Sequence, residues 1–114
     1  MVLKELVSVV NGKVLCGESH INESIEYAFA SDLMSDVLTL RITNFLLITG
    51  LANVQSVRTA EMSDLKYLLF ARGKKVTDDM IELAQENDMV IITTPYSLFK
   101  TSGLLYSAGI QPVY

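Results

Sequence analysis

The chain has 114 residues, a formal net charge of −4, nine basic residues and one cysteine. This length predicts a single domain, one cysteine excludes an internal disulfide, and the scattered lysines and arginines exclude a binding surface for nucleic acid. Half of the residues are hydrophobic and the mean hydropathy is +0.35. Because so short a chain has a large surface relative to its volume, we expect the apolar excess to form a homo-oligomer interface, most simply in a twofold dimer.

No stretch of the sequence predicts a membrane segment or an export signal. Lys4 and Glu5 interrupt the first apolar residues, and the aliphatic run at residues 45–48 is far too short to span a bilayer. Cys16 lies among apolar residues, where a buried and unreactive thiol is typical of a reducing compartment. We therefore expect a cytoplasmic protein without a membrane partner.

The first third of the chain predicts a helix, two strands and a second helix. Apolar residues at i, i+3, i+4 and i+7 indicate a helix at residues 3–10, and residues 13–16 form a brief strand. Residues 24–30 end in an alternation of large and small side chains that is typical of a strand. A helix is then expected from residue 32 to about residue 41, because the apolar period changes there.

Three continuous apolar runs follow, at residues 45–49, 66–71 and 89–93, and they are typical of strands buried on both faces of a parallel sheet. A helix is expected after each of them. Strands that alternate with helices at such short intervals predict a three-layer α/β/α domain with a parallel or mostly parallel sheet. We find no repeat, linker or low-complexity stretch, so residues 1–114 are interpreted as one domain.

The ends of these later helices are marked by suitable residues. Asn53, Thr77 and Ser97 stand where a side-chain oxygen can accept a hydrogen bond from a first-turn N–H group. Gly109 stands where the last helix should end, because glycine adopts the left-handed backbone conformation that closes many helices. These positions predict where the helices begin and where the last one ends.

Polar and small residues follow the predicted strands, and in a parallel sheet ligands bind at the carboxyl ends of the strands. The candidate ligand-binding residues at these ends are Ser31, Asp32, Ser35, Asp36, Thr49, Gly50, Arg72, Thr93 and Thr94. Asp32 and Asp36 stand at i and i+4, so on one helix face their carboxylates could share a hard cation or serve acid–base chemistry. The alternative is that Ser31 or Asp32 caps the helix while Asp36 faces solvent.

Motifs for metal binding and catalysis are missing. His20 is the sole histidine, and we expect it to be a solvated residue of a polar loop, without the cysteine or second histidine of a metal site or the partners of a catalytic triad. A phosphate-binding loop needs Gly-x-x-x-x-Gly-Lys-Ser/Thr, and the nearest string, Gly73-Lys74-Lys75-Val76, lacks the first glycine, the spacing and the hydroxyl. We therefore expect no metal, no cofactor and no catalytic residue.

Several phrases of the sequence resemble the stand-alone proteins of the DRTGG domain family. They are Cys16-Gly17-Glu18, Ala30-Ser31-Asp32-Leu33-Met34-Ser35-Asp36-Val37, Ile48-Thr49, and the close from Thr94-Pro95-Tyr96-Ser97 to Gly109-Ile110. The most specific part is SDLMSDVL, which is similar to the SDLLSDVM phrase of small members. The Asp-Arg-Thr-Gly-Gly signature itself is absent, since residues 22–27 contain neither the arginine nor the glycine pair.

This resemblance covers nearly the whole chain and implies an α/β domain like the amino-terminal domain of HPr kinase/phosphorylase, often placed at a dimer contact. It also implies a regulatory or ligand-binding role. We therefore predict a regulatory module that binds a small ligand, a nucleotide or a metabolite, at the strand carboxyl ends. One alternative is an interaction module that docks a regulatory or metabolic protein without a ligand. The other is an enzyme that uses Asp32 or Asp36 as acid or base.

Overall fold

A computed structural model describes residues 1–114 and contains five α-helices, six strands and a short 3-10 turn at Glu18–His20. The helices are α1 (Leu3–Val9), α2 (Met34–Val37), α3 (Val54–Met62), α4 (Asp78–Glu86) and α5 (Leu98–Ser107). The strands are β1 (Lys13–Cys16), β2 (Tyr27–Ala30), β3 (Leu46–Thr49), β4 (Tyr67–Phe70), β5 (Val90–Thr93) and β6 (Gln111–Pro112). The longest helix, α5, has 10 residues, and none of the helices is long and apolar enough to cross a membrane.

All six strands form one sheet in the order β1-β5-β4-β3-β2-β6. The strands β2 to β6 all run parallel to one another, and β1 runs antiparallel to its neighbour β5. This arrangement confirms the predicted mostly parallel sheet. The chain runs outward from β2 to β5 in sequence order and then returns through α5, so that β6 lies on the far side of β2.

Two apolar layers sandwich the sheet because successive side chains of a strand point to opposite faces. Leu46 and Ile48 of β3 pack on one face with residues of α1 and α5. Phe45 and Leu47 pack on the other face with Val37 of α2 and with α3 and α4. The continuous apolar runs are therefore explained by strands that are covered on both sides, which gives the three layers.

The predicted helix caps are confirmed. Asn53 accepts a hydrogen bond from Ser56 N–H at 2.8 Å, Thr77 caps α4 in the same way, and Ser97 accepts from Lys100 N–H at 3.1 Å. Gly109, with φ at +108°, adopts the left-handed conformation just after α5.

The helix predicted from residue 32 to about residue 41 is wrong in length, because α2 spans only Met34–Val37. Leu33 and Leu38 were expected in its apolar stripe, but they are 58% and 59% exposed, and Val37 is its one buried residue. A single turn that buries one side chain gains too little to extend further, since most helical stability in proteins comes from packing. The two-residue strand β6 was not predicted, because so short a segment carries no periodicity.

Candidate functional site

Asp32 joins three strand ends at the carboxyl edge of the parallel strands. Its Oδ1 atom accepts hydrogen bonds from the Gly50 N–H group at 2.7 Å and from the Thr49 hydroxyl at 3.0 Å. Its Oδ2 atom lies 3.4 Å from Nη2 of Arg72. One carboxylate therefore connects the turns after β2, β3 and β4. We call the four residues Asp32, Thr49, Gly50 and Arg72 the Asp32 cluster.

Gly50 provides the space in which the guanidinium group of Arg72 lies. A Cβ atom on Gly50 would stand 2.3 Å from Nε and 2.4 Å from Nη2 of Arg72. Nη2 also donates a hydrogen bond to the Gly50 carbonyl at 3.2 Å. Any larger residue at position 50 would therefore displace the Arg72 side chain from Asp32.

The backbone of Arg72 is held as firmly as its side chain. Its φ angle is 69°, a left-handed conformation that residues other than glycine seldom adopt. Its N–H group donates to the Tyr96 carbonyl at 2.7 Å, and the Gly73 N–H donates to the Thr94 carbonyl at 2.9 Å. The turn after β4 is thereby attached to the turn after β5, while the Arg72 side chain stays 46% exposed.

The candidates on and before α2 lie beside the Asp32 cluster without joining it. The Ser31 hydroxyl accepts a hydrogen bond from the Leu33 N–H at 3.0 Å, which forms a local turn. Ser35 and Asp36 are exposed on α2, and their side chains make no hydrogen bond or ion pair with Asp32. The prediction that Asp32 and Asp36 share a helix face is wrong, because the helix begins at Met34.

The candidate residues at and just after the end of β5 make contacts within the fold. Thr94 is 1% exposed, and its hydroxyl donates to the Val10 carbonyl at 2.6 Å, which holds the end of α1 against the sheet. Thr93 is half-buried and stands opposite Lys13 in the antiparallel pair of β5 and β1. Arg72 is therefore the exposed charged hydrogen-bond donor of the Asp32 cluster.

The structure contains no group of three or more His, Cys, Asp or Glu residues that could hold a metal ion.

A second polar cluster lies at the opposite edge of the sheet, before β4 and β5 begin. His20 contacts two carboxylates, through Nδ1 to Glu23 at 2.5 Å and through Nε2 to Asp88 at 2.8 Å. Glu23 also accepts a hydrogen bond from the Tyr67 hydroxyl and lies 3.2 Å from Lys66 Nζ. His20 was predicted to be a solvated loop residue, but its side chain is only 13% exposed. We call these five residues the His20 cluster: His20, Glu23, Lys66, Tyr67 and Asp88.

The contacts of the His20 cluster shift the pKa values of its members. The hydrogen bonds to Asp88 and Glu23 raise the pKa of His20. The Tyr67 hydroxyl, together with His20 and Lys66, lowers the pKa of Glu23 to about 2, and the bond to His20 lowers the pKa of Asp88. Burial, reinforced by Glu23, raises the pKa of Tyr67. The two carboxylates therefore favour the protonated form of His20, which persists to a higher pH in the folded chain than in the unfolded chain.

We expect these shifts to make stability highest in a window of mildly acidic pH. Because the folded pKa of His20 is raised above 6.5, its contribution is fully present below that pH and is lost as pH rises through the folded value. Because the pKa of Glu23 falls from 4.5 to about 2, its contribution is present above 4.5 and is lost as pH falls towards 2. Urea unfolding between pH 3 and pH 9 measures how the free energy of unfolding changes with pH on the acidic side and on the alkaline side.

Two variants separate these slopes. His20→Gln should flatten the pH dependence on the alkaline side. Glu23→Gln should flatten it on the acidic side and, because Glu23 helps to raise the pKa of His20, should also weaken it on the alkaline side. An alkaline slope that is the same in His20→Gln and in the unchanged chain would show that the His20 cluster does not form.

Two cavities lie outside the Asp32 cluster. One, of about 320 Å³, lies among β2, β6 and α5, and we call it the β6 cavity. Its lining residues are Ala28, Phe29, Ala30, Ile48, Ser102, Leu105, Tyr106, Ile110, Gln111, Pro112, Val113 and Tyr114. The other, of about 250 Å³, is polar and adjoins the His20 cluster through Lys66 and Asp88. Sequence analysis found neither cavity, because each is built from segments that are distant along the chain.

These elements define a small α/β domain whose polar residues gather at both ends of the parallel strands. The sequence matches the model of the DRTGG domain family over residues 5–108, so the chain belongs to that family. The resemblance predicted from the phrase SDLMSDVL is thereby confirmed. The further likeness to the amino-terminal domain of HPr kinase/phosphorylase stays a prediction.

The fold is similar to a crystal structure of the CBS and DRTGG domains of the regulatory region of Clostridium perfringens pyrophosphatase, complexed with the activator diadenosine tetraphosphate. The TM-score is 0.75 at 17% sequence identity, and the match covers 98% of this chain and 48% of that chain. The chain thus spans about half the length of the structure that it matches. No curated protein matches the sequence significantly.

Proposed function

We propose that this chain is a non-enzymatic regulatory module that binds a small ligand, a nucleotide or a metabolite, at the carboxyl ends of its parallel strands. The observation that carries this proposal is the placement of Arg72. Its guanidinium group is fixed where three strand ends meet, and it is nevertheless 46% exposed. An immobilised, accessible cation at this edge of a sheet is suited to a ligand with a negative group.

The guanidinium group has donors left for a ligand. It carries five N–H donors, and both of its hydrogen bonds within the protein are made by Nη2. A phosphate or carboxylate that meets the other donors can form the paired, charge-assisted bonds that arginine makes with such groups. Arg72 would therefore contact the ligand directly.

The rest of the Asp32 cluster would position Arg72. One oxygen of Asp32 is already bound by Thr49 and Gly50, and the other faces Arg72, so the carboxylate orients the cation. The residues proposed as further contacts at the rim are Ser31, Ser35, Asp36 and Thr93. The buried Thr94 would hold the turn below them.

The comparisons support a regulatory role. The similar Clostridium perfringens protein contains its DRTGG domain within a regulatory region that is complexed with a nucleotide activator. Membership of the same family supports a regulatory role and a nucleotide as the ligand class for this chain. We further propose that the chain is cytoplasmic. We also propose that it forms a twofold dimer, because its hydrophobic content is high and because it resembles family members that lie at dimer contacts.

We expect the ligand response to depend on Arg72. The full chain is heated with nucleotides, acyl phosphates and divalent cations, and a ligand that binds the native state raises the melting temperature Tm. At a free ligand concentration of about 100 times the Kd, the free energy of unfolding rises by about 2.7 kcal/mol. The Arg72→Ala variant should weaken the binding by about tenfold or more, because hydrogen bonds to charged groups contribute about 1.5–3 kcal/mol each.

Lys74→Ala is the matched control, because Lys74 is an exposed cation of the same turn that makes no ion pair. It should leave the ligand-induced shift unchanged. Each shift is measured relative to the same variant without ligand, so that a change in intrinsic stability does not enter. Equal responses of Arg72→Ala and Lys74→Ala would contradict the proposal, and a loss of the shift in Asp36→Ala would extend the site onto α2.

The second candidate function is an interaction module that docks a regulatory or metabolic protein without a ligand. The observation that favours it is a group of exposed apolar residues around α2, where Leu33, Leu38 and Ile42 are 58%, 59% and 41% exposed. Exposed apolar patches mark many protein–protein contacts, and we propose that these three residues form such a patch. A chain whose Tm responds to none of the ligands would favour this function.

A further inference from the structure

We infer that the β6 cavity and Arg72 form one two-part site, in which the cavity takes the uncharged aromatic ring of a nucleoside monophosphate and Arg72 takes its phosphate. This inference rests on the proposed function and adds the class of ligand and the place of its ring.

The cavity exists because small side chains and a short strand leave space. Ala28 and Ala30 of β2 stand where larger residues would fill the room beneath α5. The strand β6 pairs with Tyr27 and Ala28 alone, so the last two residues of β2 have no strand on that side. The resulting volume, about 320 Å³, lies within the range of roughly 300–1,000 Å³ that small-molecule sites occupy.

The walls of the cavity suit a flat and neutral group. Three aromatic rings line it, and those of Phe29 and Tyr114 lie 5.9 Å apart between centroids. The third ring, that of Tyr106, belongs to a residue that is 67% exposed and therefore has free area for stacking. No charged side chain lines the cavity, so a charged group would lose its hydration there without gaining an oppositely charged side chain.

The cavity and the Asp32 cluster lie along the same two neighbouring strands, β2 and β3. Ala30 and Ile48 line the cavity, and Asp32 and Gly50, which hold Arg72, each follow two residues later. The Ser31 N–H bonds to the Ile48 carbonyl at 3.0 Å, so the two chains stay paired up to this edge. Two residues span at most about 7 Å, so the backbone of Asp32 and Gly50 lies within about 7 Å of Ala30 and Ile48.

The guanidinium group of Arg72 lies 3.4 Å beyond the Asp32 carboxylate. A ligand that uses both parts therefore carries a neutral ring and an anion separated by roughly 7 Å or somewhat more. A ribose between a base and a phosphate spans such a gap. The two parts also divide the binding energy, because the ring buries apolar surface while the phosphate meets the guanidinium group.

The inference is tested by titrating the full chain with AMP, GMP, CMP and UMP in a calorimeter, with adenosine and inorganic phosphate as half-ligands. We expect at least one monophosphate to bind, and each half-ligand to bind at least tenfold more weakly than AMP if AMP is the best of the four. Failure of all four monophosphates to bind overturns the inference, and the wider ligand screen then still decides the proposed function.

Variants of the cavity residues test whether the base of the monophosphate binds in the β6 cavity. Tyr106→Ala should weaken binding of the monophosphate by about tenfold, as expected when a stacking side chain is removed. Tyr106→Phe should bind as the unchanged chain does, because it keeps the ring. Ala30→Phe should weaken binding by filling the cavity. Phe99→Ala is the matched control, since Phe99 lies on the same helix, is 88% exposed and does not line the cavity.

The outcomes separate the two proposals. Binding that is lost in Arg72→Ala but unchanged in Tyr106→Ala and Ala30→Phe would overturn the inference and leave the proposed function standing. Binding that depends on Tyr106 but not on Arg72 would overturn both, because the anion would then lie elsewhere. Parallel losses in Arg72→Ala and Tyr106→Ala, with Phe99→Ala unaffected, support one two-part site.

Discussion

Replacement of Phe45 by alanine is expected to lower the free energy of unfolding by about 3–5 kcal/mol, the usual cost of removing a buried aromatic ring. Phe45 has no exposed surface and belongs to the core between the sheet and the helices α2, α3 and α4. Its ring packs edge-on against that of Phe29, with centroids 6.4 Å apart and an angle of 83°. The variant would lose this contact and leave a cavity that the close-packed strands cannot fill.

Phe99→Ala is the control for this change, because it removes the same ring from a residue that is 88% exposed. We expect its effect to stay within about 0.5 kcal/mol. Urea unfolding followed by circular dichroism measures both values. If the two variants were destabilised equally, Phe45 would not be buried as described. Phe29, which packs against Phe45, also lines the β6 cavity. Phe45→Ala should therefore also weaken the binding of any ligand in that cavity.

Gly17→Ala is expected to destabilise the chain by about 2–5 kcal/mol, through strain and through a clash. Gly17 has φ at +85°, and a left-handed conformation costs an ordinary residue about 1–2 kcal/mol. Its new Cβ would lie 2.9 Å from the Met89 carbonyl oxygen and 2.9 Å from the Val90 Cα. Since these atoms belong to the backbone, the overlap is relieved only by moving β1 away from β5, at a further cost of about 1–3 kcal/mol.

Gly103→Ala makes the same chemical change and should have the opposite sign. Gly103 lies within α5, and a Cβ there would meet no atom within 4 Å. Alanine should therefore raise the free energy of unfolding by up to about 1 kcal/mol, because it favours the helix over the unfolded chain. Thermal and urea unfolding of both variants measure the difference, and a Gly17→Ala variant as stable as the unchanged chain would contradict the described packing.

The elements that were predicted correctly depend on neighbouring residues. Asn53 and Ser97 cap their helices through hydrogen bonds that reach only three residues along the chain. The buried strands were recognisable because burial on both faces demands an unbroken apolar run, as at residues 46–49. The helix α2 was overestimated because its apolar period suggested burial, whereas Leu33 and Leu38 meet no core.

The candidate site was predicted as a set of residues, but its geometry was not. Asp32 and Arg72 were both among the candidates, since each follows a predicted strand. Their separation of 3.4 Å and the role of Gly50 as the space for the guanidinium depend on how β2, β3 and β4 lie side by side. The His20 cluster was missed for a related reason, because His20 contacts Asp88, which lies 68 positions later in the sequence.

The amino-acid sequence by itself determined the alternation of helices and strands, the caps and the membership of the DRTGG family. These features depend on interactions within a few residues or on a linear pattern. Only the tertiary structure decided which strand lies beside β2, where the β6 cavity opens, and which polar side chains meet at each edge of the sheet. The physical reason is that such contacts join segments far apart along the chain, and their geometry is set by packing the whole sheet between two layers of helices.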